Sequence, residues 1–306
     1  MSRIVPSVTL SLFLVQAVFA AEFVSTHPDD LAVLQKIARH EGFDTPPVTN
    51  PTGWPQWRGV QTIRFSAAER PRHALTAGYD ENGRVTHLVG NGPLLSNEAF
   101  GWIAALPELR VVRIDHNIPH PGSHVPHDRY DGSGIAALEN SKLETVRLTG
   151  AFADVGMTHL ARIRSLRSID IFHTRVTDVG IRHLANHPLL EEVRCGPMGT
   201  PKITNKTLKT LATLPRIKRI GMDETFLTYA EGFEHLKPLR GRLESVSLKQ
   251  SLVLPADVEK LKADHPGLEV TTSTPAEIAE NRYIFNQLLK WASPEAADHL
   301  QTGVSP

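Results

Sequence analysis

Residues Ser165–Leu190, SLRSIDIFHTRVTDVGIRHLANHPLL, decide the architecture of this chain. Leu166, Ile169 and Ile171 stand in an L-x-x-L-x-L spacing whose second half alternates as a short strand with one buried face. Thr177 and Asp178 then supply a helix N-cap, Ile181 and Leu184 recur on one helical face, and Pro188 ends the helix. A strand and a short helix of about two dozen residues cannot bury both apolar edges alone, so the unit must stack on copies of itself.

Those copies are present. The same frame starts at Val85, Leu109, Leu143, Leu166, Leu190, Ile217 and Leu243, in steps of 24, 34, 23, 24, 27 and 26 residues. The copy at Val85 is the weakest, with Gly90 in its last apolar slot. A helix slot recurs too: DVGMTHLA from Asp154 and DVGIRHLA from Asp178 lie 24 residues apart, and TNKTLKTLATLP from Thr204 tracks TDVGIRHLANHP from Thr177. These segments resemble leucine-rich repeats of the ribonuclease-inhibitor-like kind, and VTDVGIRHL resembles the variant common in secreted bacterial repeat proteins. The resemblance covers roughly Val85 to Val270. It implies an α/β leucine-rich-repeat solenoid, with a curved parallel sheet on the concave side, helices on the convex side, and a binding role. The chain departs from that pattern after each strand, where irregular residues replace an Asn or Cys ladder.

The expected organisation has four parts: a signal peptide (1–20), an N-terminal cap (21–84), the repeats (85–273), and a C-terminal capping helix with a tail (274–306). Val8 to Phe19 is apolar apart from Thr9, Ser11 and Gln16, follows Arg3, and ends in Val18-Phe19-Ala20, the pattern of a secretory signal cleaved after Ala20. An uncleaved anchor is the alternative, for which the run is short, because a span needs about 20 apolar residues. The mature chain is therefore expected outside the cytoplasm, periplasmic or secreted. In the cap, Leu31, Leu34 and Ile37 share one helical face, Gln61–Ser66 and Leu75–Tyr79 read as strands, and Asp80–Arg84 as the hairpin turn leading into Val85. Such a cap would cover the first edge of an open sheet. Pro275–Ala292 reads as one helix and the residues after Ser293 as a loose tail.

Composition narrows the function. The chain has 33 basic and 33 acidic residues, which gives no broad surface for nucleic acid or an anionic membrane. It carries no phosphate-binding glycine loop, GxSxG elbow, HExxH pair or CxxCH site, and no cofactor is expected. Its single cysteine, Cys195, occupies an inward slot and reads as a small core residue. Leu148, Ile169, Ile171, Val193, Ile220 and Val246 are expected to face one continuous core.

Two places could carry chemistry. The 34-residue step holds HNIPHPGSHVPHDRYDGSG, with His116, His120, His124 and His127 beside Asp115, Asp128 and Asp131, and His173 within possible reach two strands on. These are usable metal ligands, but no spacing among them matches a known motif, and a solvated loop is the preferred reading. The second place is the concave face. Frame position 5 reads Val89, Arg113, Arg147, Asp170, Arg194, Gly221 and Ser247, and position 7 reads Asn91, Asp115, Thr149, Phe172, Gly196, Asp223 and Lys249, all pointing away from the core. Arg113, Asp115, Arg147, Asp170, Phe172, Arg194 and Asp223 are thus the candidate ligand-binding residues, with Phe172 as an exposed anchor. A surface ion-pair ladder is the alternative reading. Arg113 and Arg147, adjacent and like-charged, favour an anionic or carboxylate-bearing ligand. The leading function is a non-catalytic module that binds a protein, peptide or glycan; a metal-dependent enzyme using the His-rich loop and a structural envelope component are the alternatives.

Overall fold

The structure, a computed structural model, describes residues 25–50, 60–68, 73–91, 95–115, 130–197 and 202–304. The expected signal peptide and His116, His120, His124 and His127 lie outside the described residues.

Helix α1 (Pro28–His40) is followed by strands β1 (Val48–Thr49), β2 (Gln61–Ser66), β3 (Ala74–Tyr79) and β4 (Val85–Asn91), then α2 (Asn97–Ile103) and β5 (Val111–Asp115). Next come β6 (Thr145–Leu148), α3 (Asp154–Leu160), β7 (Ser168–Thr174), α4 (Asp178–Ile181), β8 (Glu192–Pro197), α5 (Asn205–Leu211), β9 (Arg219–Met222) and β10 (Ser245–Leu248). The chain closes with α6 (Pro255–Asp264), β11 (Glu269–Thr272), α7 (Pro275–Glu280), α8 (Arg282–Trp291) and α9 (Pro294–Thr302). Short 3-10 turns at Ser133–Leu138 and Phe233–Leu239 take the helix slot in other repeats, and one at Arg182–Leu184 continues α4.

All the strands form one sheet in sequence order. From β4 to β11 every pairing is parallel, whereas β1 to β4 pair antiparallel. With helices alternating along that sheet, this is an α/β leucine-rich-repeat solenoid. Leu148, Ile169, Ile171 and Val193 have no exposed surface, and Val246 and Ile220 keep 1% and 2%, so they share one core as the frame requires. Cys195 is buried there too, its Sγ 3.3 Å from Met222 Sδ, and burial pushes its thiol pKa far above the ordinary value. In the weakest repeat, Gly90 leaves room that Leu95 fills: a Cβ on Gly90 would lie 2.5 Å from a Leu95 methyl.

The turns after β6, β7, β9 and β10 share one backbone feature. Frame position 8 takes left-handed backbone in Gly150, His173, Glu224 and Gln250, with φ of 88°, 56°, 58° and 55°. Behind it a hydroxyl does the work of an Asn ladder. Thr174 Oγ1 donates to Ile171 O and Thr225 Oγ1 to Met222 O, each at 2.8 Å, and Ser251 Oγ reaches the same Met222 O at 2.8 Å. A second ladder runs along the helix side. Asp154 accepts the N–H and hydroxyl of Thr177, both at 2.7 Å, and Asp178 accepts those of Thr204 at 3.0 and 2.6 Å. Thr177 caps α4 as expected, through Val179 N–H, but Asp178 serves the following repeat instead of its own.

At the N-terminal end, buried carboxylates tie α1 to the first repeat. Asp30, 1% exposed, accepts from Val85 N–H at 2.7 Å and pairs with Arg84 at 2.8 Å, while Glu41 accepts from Ser96 N–H and Oγ. At the other end the sequence reading needs correction. Pro275–Ala292 breaks at Asn281, whose side chain caps α8, and the residues after Ser293 are not a tail but α9, capped by Ser293 with Pro294 in its first turn. Ala296 and Leu300 of α9 pack with Ile278, Ile284, Leu288 and Leu252 in a separate apolar cluster. Among the described residues, no helix is long and apolar enough to cross a membrane.

Candidate functional site

The sheet register places the row that the frame describes. Val89 pairs with Arg113, Arg113 with Arg147, Arg147 with Asp170, Asp170 with Arg194, Arg194 with Gly221, and Gly221 with Ser247. Neighbouring strands lie about 4.8 Å apart, so long side chains in this row must meet.

They meet as an alternating chain of charge. Arg113 Nε hydrogen-bonds Asp115, two residues on along β5. Arg147 Nε lies 2.8 Å from the other Asp115 oxygen and 3.7 Å from Asp170. The 2.8 Å contact is ionic and not an aligned hydrogen bond, since neither atom has a hydrogen-bond partner. Arg194 closes the series, with Nη1 3.3 Å from Asp170 and Nε 2.8 Å from Asp223. Asp223 is the most deeply set, its side chain 3% exposed, and it also accepts Ser247 Oγ–H at 2.8 Å and Lys249 N–H at 2.9 Å. Burial opposes the charge on Arg194, but the hydrogen bond and charge of Asp223, with those of Asp170, outweigh it and hold its pKa above the ordinary value.

Two expectations fall with this geometry. Arg113 and Arg147 are not left in repulsion, because Asp115 sits between them. Three guanidiniums face three carboxylates, so the argument for an anionic ligand loses its basis. Nor do all the side chains at frame positions 5 and 7 point freely to solvent: Val89, Asp115, Thr149 and Asp223 are buried. The cause is length. An Arg side chain can lie across its neighbouring strand and cover the shorter Asp.

Phe172 is likewise no free anchor. Its ring stacks on His173, with centroids 3.8 Å apart, and carries the Arg194 guanidinium 4.2 Å above it. Two glycines make this flat arrangement possible. A Cβ on Gly196 would lie 2.6 Å from both the Phe172 ring and Asp223 O, and one on Gly221 would lie 2.7 Å from Arg194 Cγ. The gap at Gly221 leaves a notch of about 290 Å³, bounded by Glu192, Arg194, Arg219, Ser245, Ser247 and Lys249.

His173 and Glu224, which the sequence reading did not join, form a pair with Nε2 2.9 and 3.0 Å from the two carboxylate oxygens. Both occupy frame position 8 in left-handed backbone, and the repeat between them has Pro197 there. The repeat frame itself was the available signal. The described members of the expected metal set are all committed: Asp115 to arginines, Asp131 to Asn97 and to Ser133 N–H, and His173 to Glu224. Among the described residues, no group of three or more His, Cys, Asp or Glu could hold a metal ion. What the surface offers is a preset array of guanidinium edges, carboxylates and hydroxyls suited to non-covalent contact.

No known family profile and no curated protein matches the chain. Among solved structures, an internalin (inlF) of Listeria monocytogenes is similar at 18% identity and a TM-score of 0.33, over 59% of this chain and 48% of its own length. This chain therefore spans about half of that protein. Internalin C2 (inlC2) of the same organism is similar at 16% identity and a TM-score of 0.38, over 64% of this chain and 85% of its own, and likeness at such identities concerns the fold alone.

Proposed function

We propose that this chain is a non-catalytic binding module, working outside the cytoplasm, that recognises a protein, peptide or glycan with the side of the sheet carrying the Arg–Asp row. The carrying observation is that Arg113, Asp115, Arg147, Asp170, Arg194 and Asp223 are laterally locked across β5 to β9, with Phe172 held flat among them. A preset surface loses little side-chain entropy on binding. Because its charges are already balanced, it favours partners that offer hydrogen-bonding groups of both kinds over purely anionic ones. The apolar run at Val8–Phe19 supports export.

Site-specific photo-crosslinking tests the proposal. A crosslinking residue at Ser168 or Ser245, which flank the row, should capture a partner from an envelope or extracellular extract, and one at Val155 on the helix side should not. Phe172→Ala should weaken that capture about tenfold. It should also cost roughly 1 kcal/mol of stability, because the ring supports Arg194. Crosslinks formed only at Val155 would overturn the assignment.

A further inference from the structure

A further cavity lies away from the sheet. It is a groove of about 690 Å³ on the helix side, lined by Thr177, Asp178, Val179, Arg182 and Ala185 from one repeat and Lys202, Lys206, Lys209, Thr210 and Thr213 from the next. The spacing explains both walls. Lys206, Lys209, Thr210 and Thr213 recur at three and four residues and share one face of α5 and its continuation. Asp178, Arg182 and Ala185 do the same on α4 and the turn after it.

This junction is open where its neighbour is closed. Between α3 and α4, a Cβ on Gly180 would lie 2.3 Å from the Asp154 carboxylate. Between α4 and α5, the repeat step lengthens from 24 to 27 residues, and besides the bonds of the Asp178 carboxylate to Thr204 and Thr207 two described hydrogen bonds pin the gap at its ends. One pin is Asp178 N–H to Lys202 O at 2.8 Å, and the other is Asn186 N–H to Thr213 Oγ1 at 3.1 Å.

The lining is strongly basic in a chain whose charges balance overall. Four cations face one carboxylate, and that carboxylate is committed to Thr204 N–H, Thr204 Oγ1 and Thr207 Oγ1. Among the described residues, Arg182, Lys202, Lys206 and Lys209 make no ion pair, unlike the arginines of the sheet. Between the cations lie Val179, half exposed, Ala185 and the threonine methyls. Such a site takes a ligand with several oxyanions on a body that has apolar C–H faces. Its volume is that of a small-molecule site and exceeds the needs of a single inorganic anion.

We propose that this groove is a second ligand site, which binds an oligosaccharide carrying sulfate or phosphate esters. Lys206 and Lys209 take oxyanions from one wall, and the Arg182 guanidinium takes one from the other in a bidentate contact. The site is independent of what the sheet side recognises.

Calorimetric titration of the full chain with a heparin-derived sulfated tetrasaccharide, its desulfated counterpart, and an oligosaccharide of mannose 6-phosphate tests it. The sulfated or the phosphorylated probe should bind, with affinity falling as salt rises, and which of the two binds tighter identifies the ester. The desulfated probe should not bind. Lys206→Glu/Lys209→Glu, whose side chains are exposed, should weaken binding at least tenfold with an unchanged melting temperature, and Arg219→Ala beside the sheet notch should leave it unaltered. Equal binding of the sulfated and desulfated probes, full affinity in the Lys206/Lys209 variant, or loss of binding in Arg219→Ala would each overturn the assignment.

Discussion

Asp223→Asn probes the charge row at its most buried point. One Asp223 oxygen accepts both Ser247 Oγ–H and Lys249 N–H, and the other accepts Arg194 Nε–H. An asparagine serves only one of these sets. With its oxygen toward Ser247 and Lys249, its amide N–H group faces the N–H of Arg194; flipped, it leaves Lys249 N–H facing a donor. Either way one charge-assisted hydrogen bond, worth about 1.5–3 kcal/mol, is lost and a buried donor is left unpaired at about 1–3 kcal/mol. Because the Arg194 side chain is 31% exposed, water recovers part of this, and a loss of about 3 kcal/mol is expected. Glu192→Gln is the control, since Glu192 and Arg219 are 40% and 44% exposed and their pair should contribute under about 1 kcal/mol. Urea unfolding with an unchanged m-value reads the difference. In a double-mutant cycle with Arg194→Met, the two sites should couple by at least about 1 kcal/mol. If Asp223→Asn costs no more than Glu192→Gln, or if the double variant is additive within about 0.5 kcal/mol, the row is a surface ladder and its rigidity is not what shapes the face.

The remaining predictions concern the scaffold. Ile169→Asp puts a charge into a core site with no exposed surface, at a cost of several kcal/mol, and should unfold the adjoining repeats; an unchanged melting temperature would mean the strand register is wrong. Leu300→Ala should destabilise the C-terminal cluster by about 2–4 kcal/mol and speed amide exchange in α7 and α8, an effect that a tail would not produce. Burial depresses the pKa values of His87, His187 and His265 below the ordinary 6.5. The folded chain therefore binds fewer protons than the unfolded one, and the stability these groups contribute is complete above pH 6.5 and lost as pH falls below it through their folded pKa values. Both ring nitrogens of His265 lack hydrogen-bond partners, with Asp264 raising its pKa and Arg240 lowering it, so His265→Leu should flatten the fall in melting temperature between pH 7 and 5.5. An equally steep fall would remove His265 from this account.

What the sequence determined by itself is whatever repeats. A six-residue apolar spacing recurring at about two dozen residues sets strand, helix, inward face and parallel order, because each is a local consequence of side-chain periodicity and of the need to stack. The frame also placed Arg113, Arg147, Asp170 and Arg194 in one row, since strand register follows from the buried positions. Tertiary structure decided what those residues do there. Whether an arginine reaches outward or lies across the next strand depends on the side chain it meets 23 to 32 positions away, and on glycines such as Gly196 and Gly221 whose clearance matters only once the strands are side by side. The same holds for Asp30 and Glu41, polar in the sequence yet buried because their donors come from another element, and for α9, whose short helix has a place to pack only after α7 and α8 have supplied an apolar surface. Periodicity is written along the chain, whereas charge pairing and burial depend on contacts between segments far apart in it.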